Sequence, residues 1–376
     1  MNPLRHLHDA GVSIWLDDLS RELLESGEFR RLIKEFVVTG ATSNPTIFAN
    51  AIAGSDRYDD QLQAVLASGT RELQEIFFEL ALDDVRRAAD LLRPVYEASE
   101  GRDGFVSFEC TPDLADDAES TVEQALDVRS RLEVPNVMIK VAATDAGIEA
   151  IEELTARGVS VNVTLLFSLS RYEQAIGAYL DGLDRRVGGG EPLAGISSVA
   201  SFFVSRVDAA VDQELASDSP LRGRIAIANA QRAYARYRGM LEAPRWKRLE
   251  ALGARPQRPL WASVGTKDDS YSDVRYVQEL IAPDVISTMP PKTLSAFATH
   301  GDVGGSLGMD AGVAEQLIDE LAAAGIDFAA LTDGLERRGV EAFRDSYDQL
   351  LRSIEERIAA LTTEASDAFA GERTGS

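Results

Sequence analysis

Cysteine is nearly absent from this 376-residue chain, and Cys110 stands alone. A single thiol excludes an internal disulfide framework and a thiolate metal cluster. Histidine is almost as scarce. His6, His8 and His300 are the whole supply, which leaves little for a zinc site. Long apolar runs are missing as well. No uninterrupted stretch could span a bilayer, and the opening MNPLRHLHDAG has no apolar signal region, so a cytoplasmic location is expected. Positive charge is outweighed: 38 Lys and Arg face 62 Asp and Glu, for a net charge of −24. Such a chain has no general attraction for phosphate backbones or anionic lipid, which argues against nucleic-acid and membrane-surface partners. Lysine is the scarcest cation, with five against 33 arginines. Where arginine is the default, each lysine asks for a reason.

What the chain does have is a regular alternation. With 45% hydrophobic residues it is not a disordered polymer. Eight short apolar, β-branched runs recur: residues 11–17, 37–45, 105–110, 137–142, 159–167, 195–204, 259–265 and 284–290. Runs of this kind suit strands buried on both faces, as in parallel sheets. Between them lie amphipathic stretches with helical spacing, among them 22–36, 121–133, 147–158 and 272–282. Thr144-Asp145 reads as a helix start and Gly158 as a stop. Eight such units predict an α/β fold, a (β/α)8 TIM-type barrel. An open doubly wound sheet is the alternative, but the first run lacks the glycine-rich loop that such a sheet favours. Residues 50–103 and 205–258 are oversized connections, each with room for about two helices. A glycine-rich loop at 301–308 precedes a C-terminal helical extension at about 309–366 and an expected frayed tail at 367–376. One domain over 1–376 is expected.

A barrel builds its site at the C-terminal ends of its strands. The polar residues there include Asp17, Thr42, Asn44, Glu109, Lys140, Asn162, Thr164, Ser201 and Ser263. Lys140 is flanked by Met, Ile, Val and Ala. Desolvation there favours a neutral, nucleophilic amine able to form a Schiff base with a ketone. The plainer alternative is an ion pair with Glu109. Asp17 is a candidate acid/base group or a helix cap, a role that Asp18 or Ser20 could fill instead. Asn44 and Asn162 are candidates for sugar hydroxyls, or for a turn and for backbone groups inside the barrel. Cys110 reads as a small buried hydrophobe. For anions, Arg206 after the sixth run and Lys267 after the seventh supply charge, with Arg171 a further candidate. Arg206 pairing with Asp208 or Asp212 is the alternative.

Taken together, GVSIWLDDLSR, GATSNPTIF, FVSFE, NVMIKVAAT, VSVNVTLLFSLSRY, ISSVASFFVSRVD, WASVGTKDDSYSD and STMP resemble the transaldolase family, and its longer, actinobacterial-type branch in particular. The resemblance covers about the first three-quarters of the chain, one motif per strand. It implies a (β/α)8 barrel with extra helices and a Schiff base on Lys140. Asp17 then acts as acid/base, and Glu109 and Thr164 assist through a water. Substrate contacts are implied for Thr42, Asn44, Asn162, Ser201, Phe203, Arg206 and Ser263. Many members carry a phosphate-binding arginine two residues beyond that serine. Here the position is Gly265, and Lys267 is the candidate replacement. Sugar phosphates are the implied partners, no metal or organic cofactor is expected, and the chain is a monomer or homodimer. A Schiff-base fructose-6-phosphate-type aldolase and a non-catalytic sugar-phosphate-binding barrel are the competing readings.

Overall fold

Seven of the eight apolar runs contain a strand and the seventh run overlaps one that begins two residues earlier: β1 Ser13–Leu16, β2 Val38–Thr42, β3 Val106–Glu109, β4 Val137–Ala142, β5 Val161–Leu166, β6 Ser198–Phe203, β7 Gln257–Ala262 and β8 Ile286–Met289. The computed structural model describes residues 2–304 and 311–374, with side chains to residue 363. Neighbouring strands are parallel, and β8 pairs with β1, so the sheet closes into a barrel. Closure explains the composition of the runs. The inner face packs on the opposite strands and the outer face on helices, so alternation of polar and apolar residues would serve neither. The interior is filled with side chains. Trp15 is fully buried, and its indole Nε1 donates to Asp103 at 2.8 Å. Gly40 makes room for it, because a Cβ there would lie 2.4 Å from the indole ring.

The helices follow their caps. Ser20, Asn44, Asp117, Thr144 and Ser168 each accept a hydrogen bond from a backbone N–H of the helix they open. The predicted helix over 22–36 is two helices, Arg21–Glu25 and Glu28–Glu35, because Gly27 turns left-handed at φ 80°. The predicted helix over 272–282 shortens to Arg275–Glu279, since Pro283 disfavours helical backbone just upstream. The connection 205–258 holds three helices rather than about two. Pro244 opens the third directly after an extended Ala243.

After β8 come the helices Pro291–His300, Ala311–Ala323 and Phe328–Thr374. The glycine-rich loop is described only as far as Gly304; the C-terminal helix continues to Thr374, through most of the tail expected to fray at 367–376, and residues 375–376 lie outside the described residues. The C-terminal helix packs against the helix Pro45–Ala53 and against β5. It is strapped to the strand-end side of the barrel by Glu336 to Arg171 at 3.1 Å, Arg344 to Asp116 at 2.6 Å and Ser346 to Thr46 at 2.8 Å. Among the described residues no helix is long and apolar enough to cross a membrane.

Candidate active site

Lys140 sits on β4 in register with Glu109 on β3 and Asn162 on β5. Its side chain is buried, at 7% exposure, and so is that of Glu109. The ammonium Nζ donates to Glu109 Oε2 and to the backbone carbonyl of Ser43, both at 3.2 Å. It also lies 5.4 Å from the ring centroid of Phe343, on the C-terminal helix. The ion pair foreseen as the plain alternative is therefore present, and it fixes the position of the amine. A buried pair of this kind is expensive to desolvate, so its retention points to a task other than stability.

Two carboxyl groups flank the amine. Burial pushes Glu109 above the ordinary carboxyl range, Lys140 pulls it down, and the charge of Asp17 adds to the rise. Asp17, just past β1, is partly buried. Burial raises its pKa against the opposing effects of a Thr42 hydrogen bond and the positive charges of Lys140, Arg206 and Lys267. Thr42 Oγ1 donates to Asp17 Oδ1 at 2.7 Å and lies 2.8 Å from the Thr288 hydroxyl. The nearby helix cap belongs to Ser20, whose Oγ accepts from Leu23 N, so Asp17 is not needed for capping.

Asn162 is wholly enclosed. Its Nδ2 donates to Ser107 Oγ at 2.8 Å, and its Oδ1 accepts from Ser201 Oγ at 2.7 Å. Ser201 thus sits inside the barrel rather than in an open cleft. Thr164, two residues past Asn162 and on the same strand face, is fully buried. Among the described residues its hydroxyl has no hydrogen-bond partner. Asn44 caps its helix by accepting from Ile47 N at 3.0 Å. Cys110 is buried next to Glu109, and burial pushes its thiol up to about 12, which leaves it inert and matches the plain reading.

The loops after β6 and β7 are stitched together. The Ser205 and Ser263 hydroxyls lie 2.9 Å apart, and Ser205 N donates to the Ser263 carbonyl at 3.0 Å. Ser263 holds a left-handed φ of 55° and Leu165, after Thr164, one of 62°. Such strain tends to collect at functional sites. Arg206 lies 5.2 Å over the Phe203 ring. Asp208 and Asp212 do not pair with it. They are taken by Ala226 N and Tyr276 Oη, and by Gly223 N and Tyr271 Oη. Burial lowers the Arg206 pKa, and Asp17 opposes that. Arg206 and Lys267 together face a cleft of about 910 Å³ that the C-terminal helix closes on its far side. Arg171 is not part of it, being paired with Asp145 at 2.6 Å and Glu336 at 3.1 Å.

The structure thus gathers Lys140, Glu109, Asp17 and Thr42 into one charge-coupled cluster, with Arg206 and Lys267 at its mouth. Sequence reasoning missed Ser43, which contributes only a carbonyl, and Phe343, which lies beyond the recognised motifs. Comparison with known proteins finds relatives over almost the whole chain. A family profile described as Transaldolase/Fructose-6-phosphate aldolase matches residues 14–354, reaching well into the C-terminal helix. The chain is 49% identical over 359 residues to a transaldolase of Saccharopolyspora erythraea, covering 94% of this chain and 97% of that one. It is 46% identical over 369 residues to a transaldolase of Frankia alni, covering 96% and 99%. It is 45% identical over 367 residues to a transaldolase of Thermobifida fusca, covering 96% and 100%.

Proposed function

The chain belongs to the transaldolase family, and from that membership we propose a division of labour among the residues at the barrel mouth. The activity is transaldolase, a transferase reaction of the non-oxidative pentose phosphate pathway. A dihydroxyacetone unit moves from a ketose phosphate, such as sedoheptulose 7-phosphate or fructose 6-phosphate, to an aldose phosphate.

In the proposed cycle the Lys140 amine attacks the ketone carbon and forms a carbinolamine. Glu109, at 3.2 Å from Nζ, and Thr164, with its unpartnered buried hydroxyl, hold the water that relays a proton to the departing hydroxyl. The Schiff base forms as water leaves. Asp17 takes the proton from the hydroxyl beyond the scissile carbon–carbon bond. That bond breaks, an aldose phosphate departs, and its electron pair remains on Lys140 as an enamine. The enamine carbon attacks the acceptor aldehyde, Asp17 returns the proton, and hydrolysis frees the product and the amine. Thr42 orients Asp17, while Asn44, Asn162 and Ser201 are assigned to the donor's hydroxyl groups or to the shape of the wall they face. Phe203, Ser263, Arg206 and Lys267 are assigned to the phosphate end. A cytoplasmic location follows from substrates too highly charged to cross a membrane. We take the chain as one domain, since the C-terminal helix borders the site, working as a monomer or a homodimer.

The buried Lys140–Glu109 pair carries this reading. Borohydride reduction in the presence of fructose 6-phosphate is expected to add a dihydroxyacetone-sized mass to Lys140. No adduct in the wild type, or an undiminished one in Lys140→Ala, would refute the Schiff base. Product formation that requires an acceptor aldose phosphate separates transfer from simple aldol cleavage.

A further inference from the structure

The phosphate end of the cleft poses a problem of charge. A phosphate dianion is best held by planar guanidinium groups that bond it in pairs. The loop after β7 offers Gly265 and an exposed Lys267 instead. Space is not the reason for the glycine, since a Cβ at Gly265 would meet nothing closer than Thr293 Oγ1 at 3.4 Å. The missing guanidinium has a counterpart across the cleft. Arg338, on the C-terminal helix, faces the same cavity as Arg206 and Lys267. Among the described residues none of these three cations has a carboxylate within 4 Å, and Asp17 acts on Arg206 and Lys267 only at longer range. Arg344 and Arg357 of the same helix, by contrast, are tied to Asp116 and Asp59.

Two glycines fix where Arg338 stands. A Cβ at Gly339 would come within 3.0 Å of Leu165 Cδ2, so this glycine lets the helix press onto the end of β5 next to Thr164. A Cβ at Gly334 would come within 3.1 Å of the Arg338 guanidinium, so the side chain lies back along its own helix over that bare position. Phe343 covers the Lys140 amine from the same helix, five residues further on.

We propose that Arg338 is a specificity-determining residue, the second guanidinium of the phosphate site, supplied by the C-terminal helix in place of the side chain absent at Gly265. The proposal rests on reading this cleft as the phosphate end of the substrate site. Steady-state kinetics on the full chain test both. Arg338→Ala is expected to raise KM for fructose 6-phosphate about tenfold, with a much smaller change in kcat, and to weaken competitive inhibition by inorganic phosphate by a similar factor. Arg338→Lys recovers part of each, and KM for unphosphorylated fructose does not follow. Unchanged KM and phosphate inhibition in Arg338→Ala, with both impaired in Arg206→Ala, would overturn the proposal and keep the reading of the cleft. No change in either variant would overturn both. A fall in kcat at constant KM would assign Arg338 a structural role and also overturn the proposal.

Discussion

Asp17 and Glu109 are both carboxyl groups at strand ends, yet their neighbours give them different tasks. Glu109 is joined directly to the Lys140 amine, whereas Asp17 is held by a hydroxyl and senses Lys140, Arg206 and Lys267 only at longer range. A carboxylate held by one hydroxyl keeps lone pairs available for a substrate proton. Asp17→Ala should therefore still bind ketose and form the Schiff base, while cleavage slows by about 10² or more. Borohydride trapping of an intact six-carbon adduct would display the stalled step, and normal turnover would remove Asp17 from the mechanism. At this scale the sequence was informative wherever a polar side chain interrupted an apolar run. It was silent on Ser43, because a backbone carbonyl leaves no signature in residue type.

Among the helices, Asp208 ties three elements together. From the helix Ser205–Glu214 it accepts from Ala226 N at 2.7 Å and from Tyr276 Oη at 2.9 Å. It thereby anchors the helix that presents Arg206. Burial lifts its pKa from 3.8 to about 6, and the nearby Asp212 adds to the rise while Arg275 opposes it. A raised carboxyl pKa means that the folded state keeps its proton longer than the unfolded chain. Stability is then lost as pH rises between the two values, and the cost persists above them. The gap of about two units corresponds to roughly 3 kcal/mol. Asp208→Asn keeps an acceptor for Ala226 N and removes the charge. In urea titrations the variant should gain about 2–3 kcal/mol relative to wild type between pH 4 and pH 8. A difference independent of pH would mean that Asp208 ionises in the fold at no cost. Element boundaries were legible in part. Thr144 and Gly158 marked one helix correctly, but Gly27 was read through because apolar spacing continued on both sides of it. Periodicity reports a face, and only the local φ reports a break.

The whole molecule places its scarce resources in one place. Of five lysines, one lies buried at the site and one at its mouth, in a chain of net charge −24. The eight strands were readable because a closed parallel barrel demands apolar runs. The C-terminal helix was readable as a helix but not as a roof. Its amphipathic pattern states that one face is buried, not which surface buries it. Phe343 makes this roof matter, since its ring faces the Lys140 amine. Water excluded from an enamine cannot discharge it before the acceptor arrives. Phe343→Ala should therefore raise consumption of fructose 6-phosphate without acceptor several-fold relative to transfer with acceptor. A ratio of the two rates cancels any loss of folded protein, and an unchanged ratio would leave water exclusion to other groups.

The dependence of an early lysine on a late phenylalanine also concerns synthesis. A ribosome delivers β1 to β4, with Asp17, Glu109 and Lys140, long before it delivers residues 328–374, although domains tend to organise from the N-terminus as they emerge. Barrel closure waits for β8, and the amine waits longer still for its ceiling. The nascent chain therefore carries Lys140 without its cover until the last helix is made, so the complete site is among the last features that synthesis delivers.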